Sequence, residues 1–312
     1  MHHFSIIIPV YNGSKTLSEL FFRIKTVFET EIKQSYEVIF VDDASKDKSW
    51  EVLSEIKKEN HNVSIYQMTR NFGQHAALLC GFNFATGRYI ITMDDDLQHP
   101  PEEIPRLINA IQTSEMDVIL GSYEQKQHSW FRNIGTILIN KALTKILRKN
   151  KDLKLTSFRI IRKEIINELI SIDLDKPKIN PMLLYITNRI KNTPVLHNER
   201  QFGKSGYGII ALVRVFFSYI INDSTLPLKF LSFLGITNFL VSFLLIGVYL
   251  IKYILGDISI PGWITTVVLI LFFNGLILLA FGLVGEYLLK ILNQSKRMPS
   301  YIIRKNATIE NE

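Results

Sequence analysis

Five short apolar runs in the first 123 residues, each separated from the next by a helix-patterned stretch, constrain this chain more than any other feature. The runs are Ser5–Val10, Glu37–Val41, Val63–Met68, Arg88–Met93 and Asp117–Gly121. Between the first two, Leu17, Leu20, Phe21, Ile24 and Val27 recur at the spacing of one helix face. Strands apolar on both faces and joined by helices must be covered on both sides, which predicts a mostly parallel, Rossmann-like α/β sheet. Ligands of such sheets bind beyond the carboxyl ends of the strands. Tyr11-Asn12-Gly13, Asp42-Asp43-Ala44-Ser45 and Asp94-Asp95-Asp96 directly follow three of the runs, so they are expected to converge on one crevice.

Residues 124 to 225 are less regular. Helices are expected over Ser129–Leu147 and Arg162–Leu169, and a strand around Ile190–His197. Gly208–Ile221 is apolar but carries Arg214, and reads equally as a helix along a membrane surface or as a buried core helix. After Lys229 the character changes. Phe230–Ile251 and Trp263–Gly285 contain no charged residue, and each is long enough to cross ~30 Å of hydrocarbon. Two transmembrane helices are therefore expected, joined by Lys252–Gly262. Lys290, Lys296, Arg297, Arg304 and Lys305 follow the second stretch, against Lys252 in the turn, which predicts that both termini are cytoplasmic. The division expected is a catalytic domain over 1–225 with a membrane-proximal amphipathic segment at about 205–225, a transmembrane region over 226–292 and a basic tail over 293–312, polar and mobile after Arg304.

The charge balance fits this picture. With 36 Lys+Arg against 29 Asp+Glu, the net charge of +7 suits contact with anionic lipid or with phosphates. There is no basic cluster interleaved with aromatics, no helix-turn-helix and no RNA-binding signature, so nucleic acid is not an expected partner. Cys80 is the single cysteine, which excludes an intrachain disulfide, and its setting (AALLCGF) predicts a buried thiol. The N-terminal apolar run is too short for a signal peptide, so the first domain is not expected to be exported.

The segment Met93–Pro101 (MDDDLQHPP) places three carboxylates at a strand end, where their repulsion is costly unless a cation is bound. Asp94 and Asp96 point to the same side of an extended chain. Hard oxygen ligands of this kind suit Mg²⁺ or Mn²⁺ held jointly with substrate phosphates, and such a cation stabilises a departing diphosphate. The plainer alternative is an acidic cap for the helix beginning near Pro100.

The motifs IIIPVYNG (6–13), VDDASKD (41–47), RNFGQHAALLCGF (70–82), MDDDLQHPPEEIP (93–105), SWFR (129–132), RQFGKSGY (200–207) and GLVGEYLLKI (282–291) span nearly the whole chain. In that order they resemble family 2 glycosyltransferases of the GT-A fold. The likeness is strongest to the polyprenyl phosphate glycosyltransferases, a group that includes dolichol-phosphate mannose synthase-like enzymes and undecaprenyl phosphate aminoarabinose transferases. The resemblance implies that Pro9, Tyr11 and Asp43 hold the nucleobase and ribose, that Arg70 and Asp95 belong to the donor site, and that Asp94, Asp96 and Gln98 surround metal and diphosphate. It also implies that Arg132 and Arg200 grip phosphate oxygens, with Ser205 and Tyr207 in an acceptor-phosphate loop. Each has a plainer reading: Pro9 and Tyr11 closing a strand, Asp43 capping a helix, Arg70 pairing at the surface. His75 and His99 read as structural.

Three positions depart from the family pattern. Gly13 stands where many relatives have Glu, Ser157 where several have an Asp proposed as a base, and Gly206 where the family has Lys. The implied activity is an inverting transfer of a sugar from a nucleotide donor, UDP-linked by family weight, to undecaprenyl phosphate at the bacterial inner membrane, by an enzyme whose relatives suggest tetramers. The alternatives are a processive polysaccharide synthase, disfavoured by the absence of Q-x-x-R-W and by only two expected spans, and a catalytically silent membrane scaffold that binds nucleotide sugar. The sugar itself is not legible.

Overall fold

The computed structural model describes residues 2–122, 153–172, 177–196, 198, scattered positions between 233 and 255, 262–295 and 299–307. The first part alternates as its pattern predicts. It runs β1 (Phe4–Val10), α1 (Leu17–Val27), β2 (Tyr36–Asp42), α2 (Ser49–Glu59), β3 (Val63–Met68), α3 (Gln74–Phe84), β4 (Tyr89–Thr92), α4 (Ile104–Gln112) and β5 (Val118–Ser122). There follow β6 (Arg159–Arg162), α5 (Lys163–Ser171), α6 (Ile179–Ile186), β7 (Ile190–Pro194), α7 (Trp263–Ser295) and β8 (Ile303–Ala307).

The strands form one eight-stranded sheet in the order β7-β5-β6-β4-β1-β2-β3-β8. β1 is parallel to β2 and β4, and β2 to β3, while β6 runs antiparallel between β4 and β5. β1 sits near the middle because all seven of its residues are buried. Its side chains alternate between faces, as strand geometry requires. Ile6, Ile8 and Val10 join the cluster built on Leu17, Leu20, Phe21 and Ile24 of α1, whereas Ile7 joins the cluster containing α3. Burying each such aliphatic side chain contributes about 2 kcal/mol.

Helix α3 lacks an amphipathic stripe because it is enclosed. Ala76 through Phe82 are all buried, and the same cluster takes in Ile166 and Leu169 of α5 and Ile179, Met182 and Leu183 of α6. Gly81 allows this helix onto the sheet: a Cβ there would overlap Cγ2 of Ile7. Cys80 lies in the same cluster, fully buried as its setting predicted.

The chain divides into two compact units, Met1–Ser205 together with Arg297–Glu312, and Gly206–Lys296. Residues 305–307, which the sequence reading assigned to a mobile tail after Arg304, belong to strand β8. Strand β3 would otherwise be a sheet edge with unpaired backbone groups, and β8 pairs with it antiparallel, Ile65 opposite Ala307 and Gln67 opposite Lys305. The helix expected over Ser129–Leu147, the segment Gly208–Ile221 and most of Phe230–Ile251 lie outside the described residues. The second apolar stretch belongs to α7, 33 residues long. Over the described residues alone, no helix is long and apolar enough to cross a membrane. Over its full sequence, α7 contains no Asp, Glu, Lys or Arg from Trp263 to Gly285.

Candidate active site

Three loops leave the carboxyl ends of β1, β2 and β4, and each turns through a non-glycine residue in the left-handed region: Asn12, Ala44 and Leu97, with φ of 56°, 56° and 59°. Such conformations cost on the order of 1 kcal/mol or more each and persist only where the surroundings over-determine them. Here they do. The backbone N–H of Asn12 donates to Ser45 Oγ at 2.9 Å, that of Lys46 to Asn12 Oδ1 at 2.9 Å, and that of Gly13 to Ser49 Oγ at 3.0 Å. A fourth loop, leading into α3, is fixed by Asp43, whose carboxylate accepts the backbone N–H groups of Phe72 at 2.7 Å and Gly73 at 2.8 Å. Burial raises the Asp43 carboxyl above its ordinary range, against the opposing pull of those two donors.

The loops enclose a cavity of about 310 Å³ lined by Pro9, Val10, Tyr11, Asp43, Asn71, Gly73, Gln74 and the three aspartates Asp94, Asp95 and Asp96. Asp94 is held from two sides, by Gln74 Nε2 on Oδ1 at 2.5 Å and by the Ser157 hydroxyl donating to Oδ2 at 2.7 Å. Asp96 Oδ1 accepts the backbone N–H of Gln98 at 3.2 Å. The Asp95 carboxylate is tucked against the first loop, where Oδ2 accepts the Tyr11 N–H at 3.3 Å. Burial, followed by repulsion from Asp94 and Asp96, pushes Asp95 up to about 7.

Gly13 makes this arrangement possible, since a Cβ there would overlap Asp95 Oδ2. Gly13→Ala is therefore expected to force the carboxylate out of its niche toward the cavity. The expected cost is about 1 kcal/mol of stability, read by thermal melting.

Beneath the aspartates lies Arg159, 1% exposed. Its Nε donates to Thr92 Oγ1 at 3.0 Å and to the Ser157 carbonyl at 3.2 Å, and Nη1 donates to Asn180 Oδ1 at 2.6 Å. Thr92 in turn donates its hydroxyl to the Ser157 carbonyl at 2.5 Å. The backbone that carries the Ser157 hydroxyl to Asp94 is thus gripped by a buried cation. Burial pulls Arg159 down to about 10, with Asp94 acting in the opposite direction. His75, at the start of α3, is pushed down to about 4 by burial and by the charges of Arg159 and Lys178, so it is neutral near pH 7.

Of the residues singled out in the sequence, Pro9, Tyr11, Asp43, Asp94, Asp95 and Asp96 are brought to one cavity. Arg70 and Gln98 are not among its lining. Arg70 lies over the Phe72 ring at 4.7 Å, and the Gln98 carbonyl accepts the Asn198 N–H at 2.9 Å. Arg132, Arg200, Ser205 and Tyr207 lie outside the described residues. His99 is buried and stacks on Phe158 at 5.2 Å, the structural role expected of it. Among the described residues, no group of three or more His, Cys, Asp or Glu side chains is placed to hold a metal ion by itself. The sequence reading missed Gln74, Arg159, Asn180 and the Ser157 contact to Asp94. Gln74 lies inside a quoted motif, but nothing local says which way its amide faces; the others act across separations of 20 residues or more.

A model of the family described as Glycosyl transferase family 2 matches residues 5–170. Over 309 residues the chain is 35% identical to the undecaprenyl-phosphate 4-deoxy-4-formamido-L-arabinose transferase of Proteus mirabilis (strain HI4320), covering 96% of this chain and 93% of that one. Glucosyl-3-phosphoglycerate synthase from Mycobacterium tuberculosis, solved with Mn²⁺, UDP and glucosyl-3-phosphoglycerate, superimposes with a TM-score of 0.54 at 14% identity, over 70% of this chain and 78% of that one. The same synthase solved with Mn²⁺ and UDP-glucose gives 0.51 at 15% identity, over 70% and 77%. At such identities the likeness speaks for the GT-A fold alone. The matched segment contains all four loops that enclose the acidic cavity, and the 35% identity runs nearly end to end: the chain belongs to glycosyl transferase family 2 and is a glycosyltransferase.

Proposed function

We propose that this glycosyltransferase moves a sugar from a UDP-sugar to undecaprenyl phosphate, with inversion at the anomeric carbon, on the cytoplasmic face of a bacterial inner membrane. The observation that carries the reading is the 35% identity, over 96% of this chain, to a relative named for transfer to that lipid phosphate. In the proposed site Pro9, Tyr11 and Asp43 hold the nucleoside. Each Asp43 oxygen keeps a lone pair beyond the backbone donor it already accepts. Asp94 and Asp96 face the diphosphate.

A divalent cation fits this site as a shared ligand. Burial first, and then the neighbouring charges of Asp94 and Asp96, raise Asp95 to about 7, and two carboxylates with substrate phosphates suffice for Mg²⁺ or Mn²⁺. When bound, the cation supplies charge neutralisation for the departing diphosphate. An oxygen of the lipid phosphate attacks the anomeric carbon, the bond from that carbon to the diphosphate oxygen breaks, and its electron pair leaves with UDP. No base is needed, because a phosphate monoester with its second pKa near ~6 arrives largely ionised. Ser157, in the position where several relatives have Asp, instead orients Asp94. Arg132 and Arg200, with Ser205 and Tyr207, would receive the acceptor phosphate through guanidinium forks and hydroxyls.

Membrane attachment is proposed through Phe230–Ile251 and Trp263–Gly285. Because β8 belongs to the same sheet as β1, any crossings made between them must be even in number, which supports a pair of spans with both termini on one side. The test is a panel of labelled UDP-sugars offered to the purified full chain with undecaprenyl phosphate, with and without chelator. Cation-dependent UDP release that requires the lipid phosphate is expected. Release that requires a glycan acceptor would favour a polysaccharide synthase, and no release with any donor would leave a scaffold.

A further inference from the structure

The loop that leads from β3 into α3 carries Asn71 and Gly73 of the cavity wall. Asp43 anchors its far end, through Phe72 and Gly73. Its near end is anchored by a segment more than 230 residues away in sequence: the backbone N–H of Thr69 donates to the Ile302 carbonyl at 2.9 Å. That contact continues the β3–β8 ladder past its irregularity at Gln67 and Met68, where Met68 faces Ile303. The tail is seated by its side chains as well. Tyr301 and Ile303 pack against the buried cluster around α3. Gln67, opposite Lys305, donates to Asp42 Oδ2 at 2.8 Å, and Asp42 Oδ1 accepts the Ser45 N–H. The tail therefore pairs with the strand that feeds the Thr69–Gly73 loop, and Gln67 on that strand links it to Asp42 at the end of β2.

We propose that Tyr301–Ala307 is a positioning element of the donor site: the chain that follows the apolar helix returns to the catalytic sheet, holds the Thr69–Gly73 loop from its near end and so sets the wall against which the nucleotide binds. A strand that merely covered an edge would leave the loop held by Asp43 alone. The effect on nucleotide binding rests on the donor reading above, whereas the hold on the loop does not.

The experiment compares the full chain with a variant ending at Ser300, and with full-length Tyr301→Ala/Ile303→Ala, which keeps the backbone of the tail and guards against misfolding of the truncated form. Amide hydrogen exchange at Thr69, Phe72 and Gly73 is expected to speed up tenfold or more in both variants, with exchange in β1 unchanged. UDP affinity in the presence of Mn²⁺ is expected to weaken at least fivefold. Unchanged loop exchange overturns the proposal, as does faster exchange with unaltered UDP affinity. If the unmodified chain itself fails to bind UDP, the donor reading falls and loop exchange alone decides the tail. A Gln67→Cys/Lys305→Cys pair in the full chain should cross-link within one chain on oxidation; an uncross-linked product or a cross-linked dimer would overturn the assignment of the strand to its own catalytic domain.

Discussion

Asp96→Asn is expected to lower kcat by roughly 10²–10³-fold, equivalent to about 3–4 kcal/mol of transition-state stabilisation. The amide is isosteric, and it still offers an oxygen to the Gln98 N–H that Asp96 Oδ1 now accepts. Folding should therefore be nearly untouched. What disappears is a formal charge on the face of the cavity where Asp94, Asp95 and Asp96 meet. With the proposed donor and acceptor, the dependence of rate on Mn²⁺ concentration should shift to higher concentration in the variant while its thermal melting stays within about 1 °C of the parent. Retention of full turnover with the parent's cation dependence would remove Asp96 from the chemistry, and with it the reading of this cavity as a diphosphate site.

The second large effect is on stability. Arg159→Ala is expected to cost about 3–5 kcal/mol, a large share of the 5–15 kcal/mol that holds a typical domain together. The loss has two sources. Truncation leaves a cavity in a site where the native side chain is 1% exposed. It also removes the donors that Thr92 Oγ1, the Ser157 carbonyl and Asn180 Oδ1 now share; Thr92 and Ser157 keep their own hydrogen bond, and each hydrogen bond to a charged group is worth about 1.5–3 kcal/mol. Arg159→Lys should recover only part of this, since one ammonium cannot reproduce the planar fork. Melting curves for the three proteins decide the matter. A drop of under 1 kcal/mol for the alanine variant would mean that the network is not what holds Ser157 against Asp94.

The parallel part of the fold was legible because periodicity and burial carry the same information. Runs such as FSIIIPV have no polar face, so they can only be central strands, and Leu17, Leu20, Phe21 and Ile24 pack where their spacing put them. The three loops of the site were legible for a related reason: in a parallel sheet every strand end faces the same way, so polar residues directly after three strands must meet. Strand β6 was less legible. Four residues, RIIR, carry too little pattern to be separated from the helix that starts one residue later. Arg159 illustrates the point further, because a charged residue read from sequence belongs on a surface, and only the pairing of β6 with β4 places it beside Thr92 in the interior.

What the sequence by itself determined was the alternating α/β core, the acidic crevice at its strand ends and the family. Each follows from short-range patterns that the chain carries wherever it goes. Tertiary structure alone decided the partners of Asp94, the burial of Arg159 and the return of Ile303–Ala307 to the edge of β3. Those depend on which backbone groups would otherwise remain unpaired, and that is a property of the assembled sheet rather than of any segment within it.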